Sequence, residues 1–216
     1  MSGGRYPAAP LPLADLLRAV LAEKTWAASW DHGERHWRGV AATALKIVET
    51  AERAGRAFAD PDIDLLIAFG IFHDSQRRND GFDPQHGARG AGYAERIHLA
   101  TRFLLDTPEG SRLGQLSEAC RGHADGLHSE DPIVGICWDA DRLNLWRVGI
   151  EPDPHYFTHP EISGQLIGWA RRVWDEPPGW EAIGERWSAG PGAGLGALPW
   201  PQDALDLTDP DDLLEP

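Results

Sequence analysis

"DPDIDLLIAFGIFHD" occupies residues 60–74, and its reading decides the fold. Apart from Asp64 and Gly70, every residue from Ile63 to Phe72 is apolar. That pattern predicts a helix buried on most sides and entered through Asp60-Pro61, where a proline suits the first turn. The run stops on two metal-type ligands, His73 and Asp74, with Arg77 and Arg78 close behind. An apolar helix rarely finishes that way unless something polar waits at its end.

The surrounding sequence is also helical. Leu13, Leu16, Leu17, Val20 and Leu21 form an i, i+3, i+4 stripe, predicting a helix from Leu13 to Trp26. In "SWDHGERHWRGVAATALKIVETAERAG" Asp31 and Glu34 have capping-box spacing, and Gly55 is the expected stop. Val40, Ala44, Ile47, Val48 and Ala51 mark the buried face of that helix. The Gly-, Asp- and Pro-rich "NDGFDPQHGARG" reads as a loop leading into a helix at His86 or Gly87. Further helices are expected over 87–105, 111–124, 132–147 and 160–175; "PIVGICW" could pass for a strand, but its flanks make it helical. From Pro177 the chain turns rich in Pro, Gly and Trp, with Trp180, Trp187 and Trp200 as anchors for an extended strap. The expectation is an all-α, single compact bundle. Residues 1–10 read as a flexible arm, 11–176 as the helical domain and 177–216 as a C-terminal extension with an acidic tail.

Composition narrows the function. The chain has 216 residues, enough to bury a real core, and a formal charge of −14, which argues against a long nucleic acid as partner. Its tail adds Asp203, Asp206, Asp209, Asp211, Asp212 and Glu215 with no base, and the body is acidic without it. A small anion held by local arginines fits this balance better than a polymer. No apolar run reaches membrane-spanning length, and "MSGGRYPAAP" lacks the regions of a signal peptide, so a cytoplasmic location is expected. Cys120 and Cys137 read as buried, reduced thiols.

Nine histidines are scattered along the chain, and a lone histidine means little, so combinations must carry the chemistry. His36 lies on one helix, His73-Asp74 ends another, and Asp141 sits in the otherwise apolar "WDADRLNLW". An acid in such a stretch is costly to bury unless paired or bound to metal. Three helices pointing these groups inward could converge on one cation, and imidazole with carboxylate suits Mn, Fe, Ni, Co or Zn rather than calcium. His32, one turn before His36, competes with it as a ligand, and Asp139 competes with Asp141. Arg77, one turn after Asp74, is the preferred phosphate contact; Arg78 and Arg89 are further candidates, since a guanidinium fork matches phosphate oxygens. Arg142 is expected to pair with a helix neighbour. His98, His128, His155 and His159 read as structural or surface residues.

The order His36 in "HGERHWRGV", His73-Asp74 in "FGIFHDS" and Asp141 in "DADRL" resembles the HD-domain superfamily of metal-dependent phosphohydrolases over residues 28–150. The arginine after His36 stands one place early for that pattern. The resemblance implies a divalent transition metal held by His36, His73, Asp74 and Asp141, with Asp74 catalytic beside Arg77. It further implies a second ion if His86 and His123 join, since two-metal members carry extra histidines in that interval with the aspartate of the pair bridging. Glycine rather than proline follows His86, and no GYP-type motif appears, which disfavours the cyclic-dinucleotide subset. The implied reaction is hydrolysis of a small phosphate ester, a nucleotide among the candidates, by metal-activated water. A di-iron oxygenase and a non-catalytic metal-binding regulatory module are the alternatives, the former because the ligand order His, His-Asp, His, His, Asp suits it equally.

Overall fold

Helix α3 (Asp60–Phe72) lies at the centre of the molecule, with Leu65, Leu66, Ile67, Phe69, Ile71 and Phe72 shut off from solvent. Burying one such side chain contributes about 1.5–3 kcal/mol, so this run dominates the core. The computed structural model describes residues 11–25, 29–106, 110–160, 162 and 164–187. The described residues form an all-α single-domain bundle. Around α3 stand α1 (Leu13–Glu23), α2 (Glu34–Arg53), α4 (His86–Thr101), α5 (Arg112–Gly122) and α6 (Pro132–Arg142), while α7 (Gly164–Asp175) and the short α8 (Trp180–Gly184) pack on α2. Two 3-10 turns, Leu145–Val148 and Pro154–Tyr156, follow α6. Among the described residues no helix is long and apolar enough to cross a membrane.

Two glycines set the spacing around α3. A Cβ on Gly70 would stand 2.8 Å from both the Ala41 Cβ and the Trp37 carbonyl, so α2 and α3 meet almost backbone to backbone. At Gly90 a Cβ would fall 2.5 Å from the Phe72 carbonyl, which brings α4 against the end of α3. Buried charges are paired, as low dielectric requires. Arg112 meets Asp62 at 2.7 Å, and Lys46 meets Glu49 at 2.8 Å beneath Trp169. Cys120 and Cys137 are buried free thiols.

Several boundaries differ from the sequence reading, each for a local reason. The N-cap of α2 is Gly33 with no side-chain cap, so Asp31 and Glu34 form no capping box. Helix α4 stops at Thr101 because Arg102 turns left-handed (φ 55°). The helix expected over 132–147 stops at Arg142. There the Asn144 amide donates to the Ala140 carbonyl at 2.8 Å, taking over an acceptor that the helix would have used. It also donates to Thr43 Oγ1 on α2 at 3.0 Å, and the chain continues as the 3-10 turn.

The end of α7 and the start of the C-terminal extension dock on α2. Arg35 donates to the carbonyls of Trp174 and Asp175, Arg38 to those of Pro177 and Pro178, and the Trp180 indole to Glu34. Ile183 and Trp187 reach the core, and the Trp187 indole bonds the Leu11 carbonyl. Trp26, the 1–10 arm, Trp200 and the acidic tail lie outside the described residues.

Candidate metal centre

Five helix ends converge on one point. His36 sits in the first turn of α2, and His86 is the first residue of α4. His73 and Asp74 follow α3 in a tight turn, His123 caps α5, and Asp141 lies in the last turn of α6. Three helix C-termini thus face the point, and their partial negative charge favours a cation.

The donor atoms fall into two groups that share Asp74. In the first, His36 Nε2 and His73 Nε2 are 3.0 Å apart, and Asp74 Oδ2 is 3.6 Å from each. Asp141 Oδ1 lies beside this group, 3.2 Å from His36 Nε2 and 3.9 Å from His73 Nε2. In the second, His86 Nε2 and His123 Nε2 are 2.8 Å apart, and Asp74 Oδ1 is 3.2 and 3.7 Å from them. One carboxylate therefore turns one oxygen to each group.

The imidazoles are locked in orientation by the backbone. Nδ1 of His73 donates to the Phe69 and Gly70 carbonyls, that of His86 to Asp83 and that of His123 to Cys120. A carbonyl can only accept, so the ring proton is on Nδ1 and Nε2 offers its lone pair inward. His86 Nε2 and His123 Nε2 then face each other, with the Arg77 guanidinium supplying positive charge 3.2 Å from His86 Nε2. The buried Oδ2 of Asp74 has no hydrogen-bond partner, and Oδ1 of Asp141 has only the His36 ring and the Arg147 guanidinium near it. Separations of 2.8–3.0 Å between nitrogens match two ligands at right angles about 2.1 Å from one ion. These residues fit divalent metal on all three counts.

Electrostatics separate the rings: burial lowers His36, His73 and His86, whereas at His123 burial is outweighed by the hydrogen bond with Asp74, which raises it. Burial, with Arg147 nearby, lowers His36 to about 4. Burial likewise lowers His73 to about 3, so both rings are neutral, lone-pair ligands at neutral pH. Burial alone would raise Asp74, but the imidazoles of His73, His123 and His36 hold it well below the carboxylate range. Asp141 is held down against burial chiefly by Arg147.

A cleft of about 350 Å³ opens over this centre. Asp74, His86, His123 and Asp141 form its floor, and Arg77, Arg142 and Arg147 line it. Arg77 reaches Asp74 Oδ1 at 3.4 Å and His86 Nε2 at 3.2 Å, while the carbonyls of Asn79 and Gly81 hold its other nitrogens.

Two of the expected anion contacts, Arg78 and Arg89, do not line the cleft. Arg78 is exposed and outside the cleft, because the turn after Asp74 sends successive side chains apart. Arg89 also lies outside the cleft, where Asp83 and the Gln76 carbonyl engage its guanidinium. The rivals are resolved as well. Asp139 accepts from the His159 ring at 2.8 Å and from the Thr158 and His159 amides, which makes it structural. His32 lies on the cleft wall rather than in either group, 3.1 Å from Asp80. Arg142 pairs with Asp139 at 3.6 Å, three residues back on its helix. Arg147 was missed from sequence: its guanidinium lies 3.5 Å from Asp141 Oδ1, on the turn that the premature end of α6 creates.

Comparison with protein-family models, with curated proteins and with solved structures gives no match. The functional reading therefore stands on the site itself.

Proposed function

We propose that this protein is a metal-dependent phosphohydrolase of the HD-domain type, acting on a small phosphate ester such as a nucleotide. Asp74 carries the reading. Its two oxygens face two imidazole groups, and backbone carbonyls orient the rings of His73, His86 and His123. The order His36, His73-Asp74, His86, His123, Asp141 along the chain supports the family resemblance. Divalent transition ions held there, Mn, Fe, Ni, Co or Zn, would supply an activated water and polarise a phosphoryl oxygen. Arg77 and Arg147, both on the cleft lining, place guanidinium charge beside the phosphoryl oxygens and offset the charge that grows as the ester bond breaks. Asp141 orients Arg147 from below, and the Gly81 carbonyl fixes the turn of Arg77. Helix ends hold these groups before substrate arrives, so little reorganisation is required.

The same ligand order also suits di-iron oxygen chemistry. The guanidinium groups on the cleft favour a phosphorylated substrate and hydrolysis. The deciding experiment measures bound metal, phosphate release from a panel of monoesters and oxygen consumption on the purified full chain. Two ions per chain are expected, with His36→Ala and His123→Ala each losing one and Asp74→Ala losing both, together with phosphate release and no oxygen uptake. Oxygen uptake without hydrolysis would establish the second reading. Full metal content in Asp74→Ala would sink the site assignment.

A further inference from the structure

The cleft has a second wall whose lining side chains include no metal-type donor apart from Asp153 at its end, with Arg147 marking its border with the metal centre. It is built from the 3-10 turn Leu145–Val148 and the segment 153–156, and Leu145, Val148 and Tyr156 line it together with Ala124. Exposed apolar side chains gather on these stretches and their neighbours: Val148, Ile150, Tyr156 and Leu127. The wall is braced from beneath. Arg142 of α6 donates to the Tyr156 carbonyl at 2.8 Å and to the Gly126 carbonyl, while pairing with Asp139. Asp139 in turn accepts the amides of Thr158 and His159, and His128 meets the His155 carbonyl at 3.1 Å. Tyr156 is thus tied to the same helix that carries Asp141, although the residue is 43% exposed.

An exposed tyrosine and two aliphatic residues on a braced wall leave apolar surface beside a strongly polar floor. Asp153 caps the turn at His155 and lies on the same lining, so this end repels a phosphoryl group and the arginines over the metal centre attract it. The volume lies at the small end of the ligand-pocket range of roughly 300–1,000 Å³, which suits one phosphoryl group and a leaving group of modest size.

We infer that the face formed by Leu145, Val148 and Tyr156 receives a ring-bearing, apolar leaving group, which makes Tyr156 a specificity-determining residue. This rests on the phosphohydrolase reading and adds the class of ester that the site selects.

Three monoesters with a primary alkoxide leaving group test it: glycerol 3-phosphate, 2-phenylethyl phosphate and a nucleoside 5′-monophosphate. Their shared alcohol class keeps differences in kcat/KM from arising in bond cleavage itself. The metal-replete full chain should favour one or both ring-bearing esters over glycerol 3-phosphate by roughly tenfold to a hundredfold, the value of burying one ring. The phenylethyl and nucleoside arms tell a plain hydrocarbon ring from a heterocycle. Tyr156→Ala should collapse the preference and Tyr156→Phe should keep it. Binding supplies a readout without turnover: 3-phenylpropylphosphonate should bind more tightly than methylphosphonate, and Tyr156→Ala should erase that gap. Equal kcat/KM for all three esters, or an unchanged preference in Tyr156→Ala, overturns the inference alone. No turnover of any ester by metal-replete protein overturns the phosphohydrolase reading and this inference with it.

Discussion

At the scale of single residues, neighbouring arginines separate cleanly. Arg77 points into the cleft because Asn79 and Gly81 carbonyls hold its guanidinium toward Asp74, whereas Arg78 points to solvent. Arg77→Ala should cut phosphatase kcat/KM by roughly tenfold to a thousandfold with metal content nearly unchanged, as a lost charge-assisted contact does. Arg77→Lys should recover only part, since a point charge does not reproduce the fork. Arg78→Ala is the control and should be nearly silent; a crippled Arg78→Ala would reverse the assignment. Sequence spacing alone already favoured Arg77, because position 77 returns to the side of Asp74 one turn on. It could not show that Arg89 meets Asp83, a pairing across a loop whose course no periodicity reveals.

Among elements, the glycines between α3 and α4 make the sharpest prediction. Gly90 faces the Phe72 and His73 carbonyls, whereas Gly92 on the same helix meets nothing within 4 Å. Gly90→Ala should cost about 1–3 kcal/mol by overpacking and lower Tm by about 3–10 °C. It should also reduce bound metal, since His73 must move with the end of α3. Gly92→Ala should be neutral or stabilise by up to about 1 kcal/mol through helix propensity. Thermal melts with metal analysis on both variants check this, and a silent Gly90→Ala would show that the helices part freely there. The apolar periodicity made the helices themselves legible, because burial on one face is what an amphipathic pattern encodes. Where they stop was less legible. Asn144 ends α6 by bonding both its own helix and Thr43, a partner about a hundred residues away, and only that break swings Arg147 toward Asp141. An unbroken helix would have turned Arg147 to another side.

For the molecule as a whole, the centre joins helices from both halves of the chain, so removing metal should be felt globally. An ion present at a hundred times its Kd stabilises by about 2.7 kcal/mol, and stripping it with a chelator should lower Tm by about 5–10 °C. His36 and His73 remain neutral down to about pH 4 and 3 because of burial, so protons should not displace metal from these two until well below pH 6. A Tm indifferent to chelation would mean that the cluster is held without metal. The core also contains its own gauge of this cohesion. Cys120 on α5 and Cys137 on α6 are fully enclosed, and burial pushes both thiols up, away from the reactive thiolate. An alkylating reagent can therefore reach them only while those helices are apart, and its rate, divided by that of a free thiol, counts how often they part. Since α5 leads into His123 and α6 carries Asp141, the two sulfurs form an internal clock for the opening of the site from behind, timed without any substitution in the chain.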